Sequence, residues 1–276
     1  MPFFKFFLEF VNFPKVLSGL IYHRRLIISL TWRDFLARYR GSFGGLFWSF
    51  VQPLVMMIIY TIVFSLFLKV QFTGDDNPFT FSVYLLCGLL PWLAFNESLM
   101  ASAGVIRANV NFVKRVVFPL EILPLNLVLQ ACIHQLIGFA ILIPLGWWVT
   151  GRVYSTIYFV PAILTVQLLF AVGLSWIIAS LAVFIPDLTQ LLSLVMTAWM
   201  FLTPIFYPEE VVSSQFQSIF RLNPMTRLIG FYRNAFMKGS LPDTMDFLVL
   251  AGIALLTFLF GHFWFIHMKR GFADVL

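Results

Sequence analysis

Charge is what this sequence has least of. Asp, Glu, Lys and Arg make up 11% of its 276 residues, against roughly 25% in a soluble domain, and that scarcity excludes a water-soluble fold. Cysteine is nearly missing as well. Cys87 and Cys132 lie in apolar stretches without metal-ligand spacing, so packing is their expected role and no redox compartment is indicated. No G-x-x-x-x-G-K-[ST] loop occurs, so the chain does not cradle nucleotide phosphates in that way and any ATP must be handled by another subunit. A cleaved signal peptide is not expected, because no short apolar core followed by small residues opens the sequence. Acidic pairs occur at Asp75-Asp76 and Glu209-Glu210, without basic or metal-ligating neighbours. That disfavours a membrane-embedded transferase acting on a lipid-linked sugar; no catalytic residue and no metal site are expected.

What remains is apolar, at 61% of residues, and divided by charge into long runs. Six stretches carry no charged side chain: Gly41 to Leu68, Asn77 to Asn96, Ile122 to Gly151, Val153 to Pro186, Leu188 to Pro208 and Phe247 to Met268. Each reaches the roughly 20 residues that a helix needs to cross about 30 Å of hydrocarbon. A charge at the bilayer centre costs about 3 kcal/mol even on lenient scales. The expected fold is therefore an all-α polytopic membrane protein with six transmembrane helices, TM1 to TM6 in that order, making a single domain. Residues 1–42 form a cytoplasmic and interfacial N-terminus, 43–268 the membrane region and 269–276 a cytoplasmic tail.

Six spans place both termini on one side. Counting basic residues gives twelve on that side, most of them before TM1, and six on the other. The positive-inside rule then makes both termini cytoplasmic, and orientation rather than nucleic-acid binding accounts for the +6 net charge.

Three segments between or beside the spans carry more than topology. Before TM1, Ile28, Trp32, Phe35, Leu36 and Tyr39 fall on one helical stripe, with Arg33, Ala37 and Arg40 opposite and Asp34 placed to pair with Arg38. This reads as an interfacial helix, either a plain anchor or part of a docking site, with Trp32, Arg33, Arg38 and Arg40 as its marked residues. Between TM2 and TM3, Arg107, Asn109, Asn111, Phe112, Lys114, Arg115 and Phe118 crowd one short connection. Aromatic anchors with a charged rim suit a small coupling helix entering a partner's groove, and a basic loop on anionic lipid heads is the plainer alternative. After TM5, Asn223-Pro224 is an N-cap and first-turn pair, followed by the stripe Leu228, Ile229, Tyr232, Ala235 and Phe236. Arg227, Arg233, Asn234 and Lys238 fall off that stripe. The expectation is an amphipathic helix in or re-entering the outer interface, preceded by a shorter one near Val211 to Phe220.

Individual residues inside the spans invite narrower readings. The run from Trp199 to Pro208 has prolines that break its helix and aromatics able to stack on sugar rings. Glu97 falls within TM2 if that helix continues toward Arg107, where a carboxylate is a functional candidate with no evident partner. His134 and His262 are expected to hydrogen-bond between helices, and Asp187 to N-cap TM5. Trp92, Trp147, Trp148, Tyr154 and Tyr158 suit an interfacial belt.

Four stretches together resemble one family, the membrane subunits of ABC-2 type polysaccharide exporters, which move O-antigen, capsule or teichoic-acid chains. They are Tyr39 to Trp48 through Gln52-Pro53-Leu54, Asn111 to Pro124 (NFVKRVVFPLEILP), Thr203 to Pro208 followed by Asn223-Pro224, and the tail Arg270 to Leu276. The resemblance implies a homodimer bound to two copies of a separate ABC ATPase, which holds ATP and Mg, while this chain binds no cofactor. It implies a lipid-linked polysaccharide as substrate, contact with membrane lipids and none with nucleic acid, and residence in the bacterial inner membrane. Asn109 to Phe118 would be the coupling helix, with Asn109, Asn111, Phe112, Lys114, Arg115 and Phe118 its contacts. TM1 and TM5 would line the polymer path, with Trp48, Tyr60, Glu97, Trp199, Phe201, Phe206 and Tyr207 along it and Arg227 and Arg233 on a gate helix. Gly41 and Gly44 depart from the single glycine that family members often carry near Gly45. Related permeases export drugs or lipids, and that cargo stays open as an alternative.

Overall fold

The computed structural model describes residues 13–40, 44–45, 47–60, 62–63, 67, 78–114, 118–208, 213 and 215–276. Arg115, residues 41–43, Lys69, Asp75-Asp76, Glu209-Glu210 and Val211 lie outside that set. Among the described residues there is no strand. The helices are α1 (Phe13–Tyr22), α2 (Arg24–Tyr39), α3 (Phe47–Tyr60), α4 (Pro78–Ala108), α5 (Val110–Lys114), α6 (Ile122–Thr150), α7 (Val160–Phe184), α8 (Leu188–Phe201), α9 (Gln217–Leu222), α10 (Pro224–Arg233), α11 (Thr244–Met268) and α12 (Phe272–Val275). A 3-10 turn, Ser155–Phe159, precedes α7, and a π-turn, Asn234–Lys238, continues α10.

Four of these helices are long and apolar enough to cross a membrane, and they correspond to the runs expected as TM2, TM3, TM4 and TM6. The TM2 helix does continue past Glu97, ending at Ala108. α8 has 14 residues, about 21 Å of helix, because its chain breaks at Thr203-Pro204. α3 also has 14 residues and falls in the TM1 run, whose remainder lies largely outside the described set.

α4 is the hub, with every residue from Phe81 to Leu90 buried, as expected of a helix that is apolar all round. α7 and α11 pack most closely. A Cβ built at Gly173 would collide with the Thr257 carbonyl, and one at Gly261 with the Gly173 carbonyl. Without an oil–water contrast between helices, dispersion contacts at such small-residue crossings hold the bundle together. Below, the near end of the bundle is the one holding α5 and α12, and the far end the one holding the turn at Gly151.

Several local expectations need correction. α2 buries Ile27, Leu30, Thr31 and Phe35, while Ile28 and Trp32 are exposed; the apolar stripe is rotated because lipid and protein core are equally acceptable to both faces. Asp34 pairs with Arg33 (2.8 Å) and accepts from Asn126 Nδ2 (2.8 Å) instead of meeting Arg38. Asp187 precedes α8 without any side-chain cap bond. Trp92 sits in mid-helix, buried against Phe95 and Trp199, and belongs to no belt. The short helix before α10 spans Gln217–Leu222.

Candidate functional site

At the near end, α5 is a single turn of helix, and its sequence explains how it is held. Phe112 and Phe118 stack on each other with centroids 4.6 Å apart and are half-buried against the core, so they are less free than a pair of exposed anchors. Asn109 folds its amide back onto the Val105 carbonyl (2.8 Å). Asn111 and Lys114 face outward. Arg107 donates to the Val183 carbonyl (3.0 Å), satisfying one of the acceptors that α7 leaves at its C-terminus. Behind α5, Lys269 pairs with Glu121 (3.0 Å) and Trp176 Nε1 donates to the Glu121 carbonyl (2.9 Å). The tail folds under as α12, with Phe272 fully buried between Phe184 and Phe265. Periodicity could not reveal these long-range partners. The near end is thus a braced platform with a basic, amide-bearing rim.

α2 rises from that end beside α6. Its contacts advance from Asp34–Asn126 to Arg38–His134, four residues along α2 against eight along α6. At its top, Arg38 Nη1 donates to Glu97 Oε1 and lies 3.1 Å from His134 Nδ1; Tyr39 OH is 2.8 Å from His134 Nε2. His134 is therefore bonded between helices as expected, and Glu97 gains the partners that the sequence did not show. Arg33 and Arg40 stay exposed at the surface. His262 packs edge-on to Trp176, with ring centroids 5.2 Å apart.

The Arg38–Glu97–His134 cluster forms the polar wall of a cavity of about 550 Å³. Trp48 and Met56 of α3 and a leucine wall on α4 complete it. Of the residues expected along a polymer path, only Trp48 and Glu97 meet here. Tyr60 instead contacts Phe206 (6.1 Å), and Trp199 belongs to an aromatic cluster with Trp92, Phe95 and Phe170. Phe201 is exposed, and its carbonyl accepts from Tyr207 OH (2.6 Å).

One residue along α6, Gln135 faces a second, uncharged cluster. Gln135 Nε2 donates to Gln167 Oε1 (3.0 Å), Gln167 Nε2 donates back to Gln135 Oε1 (2.8 Å), and Tyr232 OH donates to Gln167 Oε1 (2.7 Å). This joins α6, α7 and α10. Sequence reasoning missed both glutamines, although an amide inside an apolar run is itself a signal.

α10 begins as expected. Asn223 Oδ1 accepts from Met225 N (3.0 Å), and all five stripe residues are buried. Asn223 does more than cap: its Oδ1 also accepts from Trp199 Nε1 (2.9 Å), and its amide donates to the Leu202 carbonyl and Thr203 Oγ1, tying the end of α8 to the start of α10. Arg227 pairs with Asp246 (3.2 Å). Arg233, expected on the polar face, is 4% exposed. It donates to the Ile205 carbonyl (2.9 Å) and lies 3.5 Å from the Tyr84 ring centroid. Fixed dipoles and a ring face make its burial tolerable.

Known proteins give this arrangement a family. Residues 25–237 match the family described as ABC-2 type transporter. The O-antigen export system permease protein RfbA of Myxococcus xanthus is 30% identical over 247 residues, covering 87% of this chain and 91% of that protein. The protein of the same name from Klebsiella pneumoniae is 30% identical over 265 residues, or 95% and 99% of the two chains. The polysialic acid transport protein KpsM of Escherichia coli is 26% identical over 234 residues, or 82% and 88%. With the match covering most of its length, the chain belongs to the ABC-2 type transporter family.

Proposed function

We propose that this chain is the membrane subunit of an ABC exporter that carries a lipid-linked polysaccharide across the bacterial inner membrane. The observation that carries the reading is the similarity to O-antigen export permeases over 87% and 95% of the chain, joined to a braced platform at α5 in a chain without a nucleotide-phosphate loop. In this reading two copies form a homodimer, and each receives one copy of a separate ATPase that holds ATP and Mg. Asn109, Asn111, Phe112, Lys114, Arg115 and Phe118 form the coupling site, framed by α2. α3 and α8 supply TM1 and TM5 and complete six spans. α9 and α10 form a lid at the outer face, with Arg227 and Arg233 holding it.

Both termini then face the cytoplasm. On this topology twelve of the eighteen basic residues fall on the cytoplasmic side, as the positive-inside rule asks. The test is to reconstitute the chain with its ATPase subunit and replace Phe112, Lys114 and Phe118 by alanine together. Hydrolysis should fall to the level of the ATPase alone while the bundle stays folded; undiminished hydrolysis removes the coupling site from α5.

A further inference from the structure

We propose that the cavity walled by Arg38, Glu97, His134 and Trp48 is a sugar subsite that accepts uncharged pyranose units and disfavours acidic ones. The inference rests on the polysaccharide reading above and narrows it to a substrate class.

The cavity's volume, about 550 Å³, lies within the roughly 300–1,000 Å³ typical of small-ligand clefts. Its lining is two-sided. Trp48, 52% exposed, contributes its indole from α3, and Leu86, Leu89, Leu90 and Leu93 supply an apolar wall on α4. Between them stand one guanidinium and one carboxylate, engaged with each other and both reachable, with side chains 43% and 34% exposed. Asn96 adds an amide to the lining.

A neutral pyranose matches each of these groups. Its C–H faces pack on the indole and on leucine. Vicinal hydroxyls can donate to Glu97 Oε2, accept from the remaining N–H groups of Arg38 and share the Asn96 amide without separating the ion pair, because a hydroxyl is both donor and acceptor. The carboxylate of an acidic sugar has no such option. Drawn to the same Arg38 N–H groups, it would set a second anion beside Glu97 and compete with it for a guanidinium that Glu97 already neutralises, in a partly desolvated site. Discrimination then comes from repulsion built into the site as much as from attraction.

The arrangement also predicts its own reversal. Glu97→Gln keeps the shape, removes the anion and releases Arg38 for an incoming carboxylate. Saturation-transfer NMR on the complete chain with its ATPase in nanodiscs, titrated with a neutral mannose oligomer and with a sialic acid oligomer of equal length, reads both preferences. The wild type should bind the neutral oligomer at least tenfold more tightly than the acidic one. Glu97→Gln should bring the two within threefold, and Trp48→Ala, a change at a half-exposed side chain, should weaken the neutral oligomer by at least fivefold.

Equal binding of both oligomers by the wild type, or an unchanged preference in Glu97→Gln, overturns the inference. So does a co-purified phospholipid that no oligosaccharide displaces. Polymer transport by reconstituted vesicles separates the two levels. If saccharide is exported regardless of its charge, only this inference fails; if no saccharide is exported, the polysaccharide reading fails with it.

Discussion

His134 and Gln135 are neighbours on α6, and they look into different kinds of polar environment. His134 joins Arg38, Glu97 and Tyr39 at a cavity, where charges of both signs remain within reach of solvent or ligand. Gln135, which also touches the cavity's edge, turns its amide into a buried, uncharged cluster with Gln167 and Tyr232. Inside an apolar bundle an unmatched polar group costs about 1–3 kcal/mol and an isolated charge more. The groups that join helices in the Gln135 cluster are therefore neutral and reciprocally bonded. A charge buried away from the cavity needs fixed partners, as Arg233 has in the Ile205 carbonyl and the Tyr84 ring. The difference sets a buried, neutral joint beside an open, charged cluster on a single helix turn.

Breaking the buried cluster should produce the largest change in stability. Gln167→Leu leaves the Gln135 amide and the Tyr232 hydroxyl without their shared partner, with an expected loss of about 1–3 kcal/mol, read by thermal unfolding in detergent or nanodiscs. Replacing Gln135 and Gln167 together should cost less than Gln167→Leu alone, because the one amide that the single change leaves unmatched goes as well; hydrogen bonds between membrane helices are worth about 0.6 kcal/mol on average. A double variant worse than the single one would show that the pair does more than satisfy itself.

At the cavity the balance reverses. Glu97→Gln should shift stability by less than about 1 kcal/mol, since the pair it breaks is partly solvated, while changing which glycan the complex moves in a vesicle export assay. A large fall in unfolding temperature with unchanged export would make the two clusters alike and defeat the comparison. The smallest effect is expected at Asp187→Ala. That side chain makes no cap bond, so stability should move by less than about 0.5 kcal/mol; a loss near 1 kcal/mol, typical of a true N-cap, would restore the capping role.

The helices themselves were readable, because charge-free length is a direct consequence of hydrocarbon thickness: α4, α6, α7 and α11 coincide with four of the six runs. The start of α10 was also readable, since Asn223-Pro224 is local chemistry. Which face of α2 turns inward was not. Periodicity works through a contrast between water and core, and beside lipid that contrast vanishes, so Ile28 and Trp32 looked as suitable as Ile27 and Leu30. Arg233 was misjudged for the related reason that a cation off an apolar stripe is normally solvated, whereas here a carbonyl and an aromatic ring receive it. The partners of Glu97 lay 59 residues before it and 37 after it along the chain, beyond the range of any local pattern. The aromatics of α8 and α3 were recognised as a group, yet their packing divides them among separate sites.

Asn111 gives the most direct test of the central claim, because it is exposed on α5 beside the stacked Phe112–Phe118 pair and the native thiols of Cys87 and Cys132 are buried. A single cysteine at Asn111, in membranes carrying the ATPase subunit, should cross-link to that subunit and react with a membrane-impermeant maleimide only from the cytoplasmic side. Labelling from the outer side, or an active complex in which that cysteine stays fully reactive and never cross-links, would contradict the account.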